Sequence, residues 1–137
     1  MFISATADHE RELTLPETTH EAATLRRARE LHFRSIVFDT HVDTTQRLLD
    51  VNFDLGTRHD DGSVDIPRLR EGGVGAIFFA IWVPGTVKGP EAVERARKQI
   101  AAVRRQIDAH AADVALARTA EEVRCAHAQG KIDSDGA

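Results

Sequence analysis

The residues best suited to chemistry follow a short apolar run at residues 36–38, whose β-branched and aromatic side chains favour a strand. Asp39, His41 and Asp43 come next, at every second position. Because side chains alternate along a strand, we expect these three on one face, at the carboxyl end of the strand. An imidazole and a carboxylate held two residues apart there can bind one divalent metal ion.

The His-x-Asp spacing is by itself a weak signal. A second copy, His59 and Asp61, lies in a polar segment, and a chain with 7 histidines and 22 acidic residues produces such a pair by chance. On spacing alone, a hydrogen-bonded histidine near a strand end is the commoner explanation of His41. The strand context and the sequence that follows favour metal binding.

The following segment carries a longer pattern. Residues 62–84 run from Gly-Ser-Val-Asp-Ile-Pro-Arg-Leu through Gly-Gly-Val-Gly-Ala to Ile-Phe-Phe-Ala-Ile-Trp-Val-Pro. Together with Phe-Asp-Thr-His-Val-Asp upstream, this ordered pair of motifs closely resembles the opening of the membrane dipeptidase (renal dipeptidase) family of zinc peptidases. By resemblance, His41 and Asp43 match two ligands of one zinc. Asp39 is a candidate to orient a ligand or to form a strand-end hydrogen bond.

The resemblance implies a (β/α)8 TIM-barrel fold, a dipeptide substrate, two Zn²⁺ ions in the complete family site, and homodimers. Such a barrel needs about 250 residues, so the 137 residues correspond to its amino-terminal portion. The family's bridging glutamate and later histidines have no counterpart here, and no catalytic residue is identified. We therefore expect a truncated, inactive zinc dipeptidase that binds at most one Zn²⁺ weakly.

Two other classes of protein stay open. One is another amidohydrolase-like barrel metallohydrolase, but those more often begin with His-x-His, and Asp43 stands where the second histidine would be. The other is a non-catalytic remnant or interaction module, which the missing glutamate favours as a description of the polypeptide alone.

The chain divides into three regions. Residues 1–17 are polar and aperiodic, which predicts disorder. Residues 18–132 correspond to the barrel portion, and residues 133–137 form a tail outside the family pattern. Within the middle region, the abundant Asp, Asn and Gly of residues 50–64 predict a loop.

Alternating helical patterns and apolar runs predict βα units and a parallel sheet of two strands. In the first strand, alternation puts Phe38 and Val42 on the face opposite to His41. The second strand is the nearly continuous apolar run of residues 74–83, whose aromatic side chains are expected in the core.

Helices are predicted from caps and from periodicity. Thr119 with Glu122 has the spacing of a capping box, and Asp65 is placed to start a short helix. The clearest helix covers residues 90–112, where one apolar stripe is formed by Val93, Ala96, Ile100, Val103, Ile107 and Ala111.

Composition limits the class of protein. With 42% hydrophobic and 29% charged residues, the chain has the usage of an ordinary globular domain. Its net charge of −4 argues against a nucleic-acid partner, and its single cysteine excludes an intrachain disulfide and a four-cysteine zinc site. We expect no membrane span and no signal peptide, and a location that is cytoplasmic or unassigned.

Overall fold

The computed structural model describes residues 19–49 and 52–136, and for residues 133–136 it describes the backbone only. The predicted disordered segment, residues 1–17, lies outside the described residues. The elements in chain order are α1 (Thr19–Arg34), β1 (Val37–Val42), a 3₁₀ helix (Asp43–Leu49), α2 (Ile66–Glu71), β2 (Val74–Phe79), α3 (Gly89–Ala109), β3 (Val114–Leu116), α4 (Ala120–Ala128) and β4 (Ile132–Gly136).

The described strands form one parallel sheet in the order β1-β2-β4-β3. The predicted two-stranded sheet is therefore wrong, although its two strands are present. β3 has only three residues, too few to produce a periodic signal. β4 reads Ile-Asp-Ser-Asp-Gly, a composition that disfavours strands, and it is held by pairing on both sides.

Helices cover both faces of this sheet. From β2, α3 passes over β4 to reach β3, and α4 then returns from β3 to β4. Right-handed crossovers in opposite directions put these two helices on opposite faces. Phe78 lines one pocket with Ala120 and Val123 of α4, whereas the adjacent Ile77 packs in the same cluster as Val103 and Ile107 of α3. The fold of the described residues is thus a three-layer α/β arrangement.

The core lies on the α3 side of the sheet. Val42, Ile77 and Phe79 supply its strand side, and α3 and the chain before α2 cover them. The second predicted strand ends at Phe79, earlier than residue 83. Trp82 lies beyond the strand and is 52% exposed, so its predicted core position is wrong.

The prediction of a helix over residues 90–112 is confirmed by α3, but the predicted stripe is rotated. Val93 is 52% exposed, and the buried positions of α3 begin only at Gln99. They are Gln99, Ala102, Val103 and Ile107. A polar residue therefore occupies the buried face, where the apolar pattern did not place one.

The chain before α2 forms no helix or strand over residues 52–64, as predicted for a loop. It is attached to α3 through Gln106, which accepts a hydrogen bond from the Leu55 amide at 2.9 Å and donates one to the Phe53 carbonyl at 3.0 Å. Near the end of α3, His110 Nε2 lies 2.5 Å from Oδ1 of Asp54. Side-chain hydrogen bonds thus hold in place a segment that has no regular backbone pairing of its own.

The two helix N-caps predicted from the sequence, Asp65 and Thr119, are both present. The carboxylate of Asp65 is fully buried and accepts from the Arg68 amide at 2.9 Å, the Arg68 guanidinium at 2.7 Å and the His59 amide at 3.1 Å. Thr119 accepts from the Glu122 amide at 3.2 Å. The Glu122 carboxylate accepts from the Arg118 amide, so the return bond of the capping box goes one residue further back.

Candidate metal-binding pair at the end of the first strand

His41 and Asp43 lie beside each other at the carboxyl end of β1. Nε2 of His41 is 3.2 Å from Oδ1 of Asp43, and the two side chains are 65% and 63% exposed. His41 is the penultimate residue of the strand, and Asp43 is the first residue of the 3₁₀ helix. The structure therefore brings together the two residues that the sequence nominated, with both groups open to solvent.

Regular strand alternation, which the sequence predicted, does not produce this proximity. The ring of Phe38 contacts that of Phe78 at 5.0 Å, while Val42 is buried and pairs with Phe79. Since Phe78 and Phe79 are consecutive in a strand, Phe38 and Val42 lie on opposite faces of the sheet. The register shifts between Asp39 and Val42, which breaks the alternation that the sequence argument assumed.

Asp39 acts on the backbone at this irregularity. Its Oδ1 accepts a hydrogen bond from the His41 amide at 3.0 Å. Of the two roles considered for Asp39, this contact corresponds to the strand-end hydrogen bond. It fixes the peptide that carries the imidazole.

The spacing of the pair fits one divalent ion. Two ligands of a tetrahedral zinc, with bonds of about 2.0–2.1 Å, stand about 3.4 Å apart, close to the 3.2 Å between His41 Nε2 and Asp43 Oδ1. The same separation also suits a direct hydrogen bond between the two side chains when no metal is bound. Within the described ranges, no three His, Cys, Asp or Glu side chains gather into a potential metal site. The described part of the chain thus offers two ligands.

The second His-x-Asp copy is not assembled. His59 stacks on Phe53 with ring centroids 4.2 Å apart, and its Nε2 donates to the Asp54 carbonyl at 2.7 Å. Asp61 pairs instead with Arg47 at 2.8 Å. Here the two residues with this spacing therefore contact other residues and stabilise the loop.

Sequence reasoning missed a polar network that reaches the 3₁₀ helix at Gln46. Gln46, three residues after Asp43, donates to the Trp82 carbonyl at 2.7 Å, and Gln99 of α3 donates to the same oxygen at 2.8 Å. Arg95 donates to Gln46 Oε1 at 2.8 Å. The available signal was Gln99, which is four residues after Arg95 and one helical turn from the apolar Ala96, Ala102 and Val103.

In the described ranges, no helix combines the length and the apolar character needed to cross a membrane.

Comparison with solved structures gives relatives of the same fold. The dipeptidase AC, a metallopeptidase of family M19, is 30% identical with a TM-score of 0.66, over 73% of this chain and 33% of its own. A metallopeptidase from Rhodobacter sphaeroides, solved with a phosphinate mimic of the dipeptide L-Ala-D-Ala, is 29% identical with a TM-score of 0.61, over 73% and 36%.

A third structure supports the fold alone. The probable dipeptidase PvdM from Pseudomonas aeruginosa is 17% identical with a TM-score of 0.66, over 85% of this chain and 31% of its own. The chain thus spans about a third of the length of these relatives. No curated protein matches the chain.

The family model for membrane dipeptidase matches residues 25–134, a range that contains Asp39, His41, Asp43 and the segment through β2. The resemblance first read from the two motifs is therefore confirmed over most of the sequence. The chain belongs to the membrane dipeptidase family, peptidase family M19.

Proposed function

We propose that this chain supplies the first two ligands, His41 and Asp43, of the zinc site of a metallo-dipeptidase. The observation that carries the proposal is the 3.2 Å approach of the imidazole to the carboxylate at the carboxyl end of β1. Family membership supports the reaction class, hydrolysis of dipeptides. The carboxyl ends of parallel strands are where barrel enzymes build their active sites, which agrees with this location.

In this proposal, β1, β2 and the strands that follow are the amino-terminal part of a (β/α)8 barrel, and the complete site holds two Zn²⁺ ions. A bound zinc ion would lower the pKa of its water and polarise the scissile carbonyl. His41 would bind through Nε2 as the neutral imidazole, and Asp43 would contribute negative charge. Their exposure leaves room for water and for a substrate above the pair.

The 137-residue chain alone is proposed to bind zinc weakly and to lack dipeptidase activity. Two protein ligands are fewer than the three or four that hold zinc in stable sites. We also propose that a dipeptide is the substrate of the complete site and that homodimers form. A non-catalytic interaction module is the competing function.

The test is a zinc titration of the full 137-residue chain. Binding is measured by calorimetry and by the NMR signals of the histidine rings. We expect one weak site that perturbs the His41 ring and disappears in His41→Ala. His59→Ala is the matched control, because it removes the histidine of the unassembled copy and should leave zinc binding intact. Tight binding that survives His41→Ala would refute the assignment of the pair.

Activity is measured on the same sample with a dehydrodipeptide, and no turnover is expected. Turnover that disappears in Asp43→Asn would contradict the proposed inactivity of the chain while supporting the proposed chemistry.

A further inference from the structure

The helical turn that begins at Asp43 is attached to the segment after β2 by two side chains and, just before the turn, by one backbone hydrogen bond. Thr45, fully buried, donates to the Ala80 carbonyl at 2.5 Å. One residue later, Gln46 donates to the Trp82 carbonyl at 2.7 Å. The Ala80 amide also donates to the Val42 carbonyl at 2.9 Å, so the two segments are joined on either side of Asp43.

α3 holds the same segment from the other side. Gln99 donates to the Trp82 carbonyl at 2.8 Å, so this oxygen accepts from two side-chain amides. Arg95, one helical turn before Gln99, donates to Gln46 Oε1 at 2.8 Å and completes a chain from α3 to the 3₁₀ helix. The connection therefore runs from α3 through Trp82 and Gln46 to the turn that presents Asp43.

This network includes buried polar atoms that destabilise the fold. Gln99 is 0% exposed, and its Oε1 has no hydrogen-bond partner in the part of the chain that the structure describes. Arg95 Nε is likewise buried and without such a partner. Buried polar atoms left unpaired destabilise a protein, and an apolar side chain at Gln99 would avoid that cost. With glutamine at position 99, the side-chain amides of Gln46 and Gln99 both hold the Trp82 carbonyl in one orientation.

We infer that Gln46, Arg95 and Gln99 are positioning residues for Asp43: they fix the turn that carries this carboxylate so that it stays within reach of His41. Hydrogen bonds one step behind a metal ligand orient it and tune metal affinity. The role as a metal-site device rests on the proposed function. The placement of Asp43 against His41 is a property of the chain without metal and can be measured separately.

The sequence provides a selective spectroscopic probe of this network. Trp82 is the single tryptophan, and the chain contains no tyrosine. Intrinsic fluorescence excited at the tryptophan band therefore reports on the residue whose carbonyl both glutamines hold.

The experiment compares Gln99→Met and Gln46→Met with the matched control Gln106→Met in the full 137-residue chain. All three substitutions remove a side-chain amide, and Gln106 lies on the same helix but bonds to Phe53 and Leu55, away from Asp43. Gln46→Met changes a half-buried residue and serves if Gln99→Met does not fold. The readouts are Trp82 emission, the amide NMR shifts of His41 and Asp43 without metal, the urea midpoint and the zinc dissociation constant.

We expect both network variants to shift Trp82 emission and the Asp43 amide signal, and to raise the zinc dissociation constant about tenfold. Gln106→Met should lower the urea midpoint and leave the other three readouts at wild-type values. If the network variants lower only the urea midpoint, as the control does, the three residues are merely structural and the inference is overturned. A wild-type chain that binds no zinc at His41 would refute the proposed function, and the metal-free Asp43 and Trp82 signals would then decide the positioning role.

Discussion

Nε2 of His41 lies 3.2 Å from Oδ1 of Asp43, although the first residue belongs to a strand and the second is the first residue of a 3₁₀ helix. The imidazole and the carboxylate are therefore close together although their backbones have different conformations. The irregular register before Val42 and the 3₁₀ helix that starts at Asp43 together create this geometry. A regular strand through the same residues would place the pair by alternation alone.

Asp39→Ala is expected to weaken zinc binding about tenfold, since it removes the hydrogen bond from the His41 amide. Asp39→Asn keeps an oxygen acceptor and should remain close to wild type. Zinc titration and hydrogen exchange of the His41 amide measure the two effects. Asp60→Ala, a change of an exposed acid in the loop, is the control. Equal losses in the Asn and Ala variants would show that the charge of Asp39 matters and the hydrogen bond does not.

Asp65→Asn is expected to lower the free energy of unfolding at neutral pH by about 1.5–3 kcal/mol. Burial raises the pKa of Asp65, but the Arg68 and His59 amides and the Arg68 guanidinium outweigh it and hold that pKa below its usual value. A lowered pKa in the folded state stabilises the protein above the unfolded value, about pH 4, and this stability is lost as the pH falls through the folded value.

Urea titrations at neutral pH and below pH 4 check this prediction. The difference in stability between wild type and Asp65→Asn should shrink in acid. Asp54 and Asp61, whose pKa values are also lowered, keep part of the acid sensitivity in both proteins. A difference that stays constant across the pH range would contradict an ionised Asp65 in the native state.

Gly73→Ala is expected to destabilise the chain more than Gly130→Ala does. Both glycines have positive φ, +64° and +72°, a conformation that costs a residue with a Cβ about 1–2 kcal/mol. A Cβ on Gly73 would also lie 2.8 Å from the Phe33 ring of α1, whereas one on Gly130 meets nothing within 4 Å. Urea unfolding measures the difference, and equal effects would show that Phe33 moves away without cost.

The proximity of His41 and Asp43, the proposed ligands, could be predicted from the sequence because the two residues are neighbours in the chain. Two side chains two positions apart share a face of a regular strand, and here the irregular register and the 3₁₀ helix keep the same two residues close. The predicted cap at Asp65 is equally local, since its acceptor and the Arg68 amide are three residues apart. Specific motifs such as the segment over residues 62–84 then identified the family.

The sheet and the exposure of Trp82 could not be predicted this way. β4 is a strand because its backbone pairs with β2 and β3, partners that its own polar residues do not indicate. Trp82 is exposed because the strand ends at Phe79 and the chain then leaves the core, which an unbroken apolar run conceals. The buried face of α3 was likewise decided by what covers the helix, and it includes the polar Gln99.

The sequence alone determined the helices α2 and α3, the strands β1 and β2, the family, and the nomination of His41 and Asp43, all of which depend on residues near one another in the chain. Only the tertiary structure decided the four-stranded order, the opposite faces of Phe38 and Val42, and the network that joins Gln46 to Gln99. These features arise from contacts between residues tens of positions apart, and their energies depend on packing that no local pattern records.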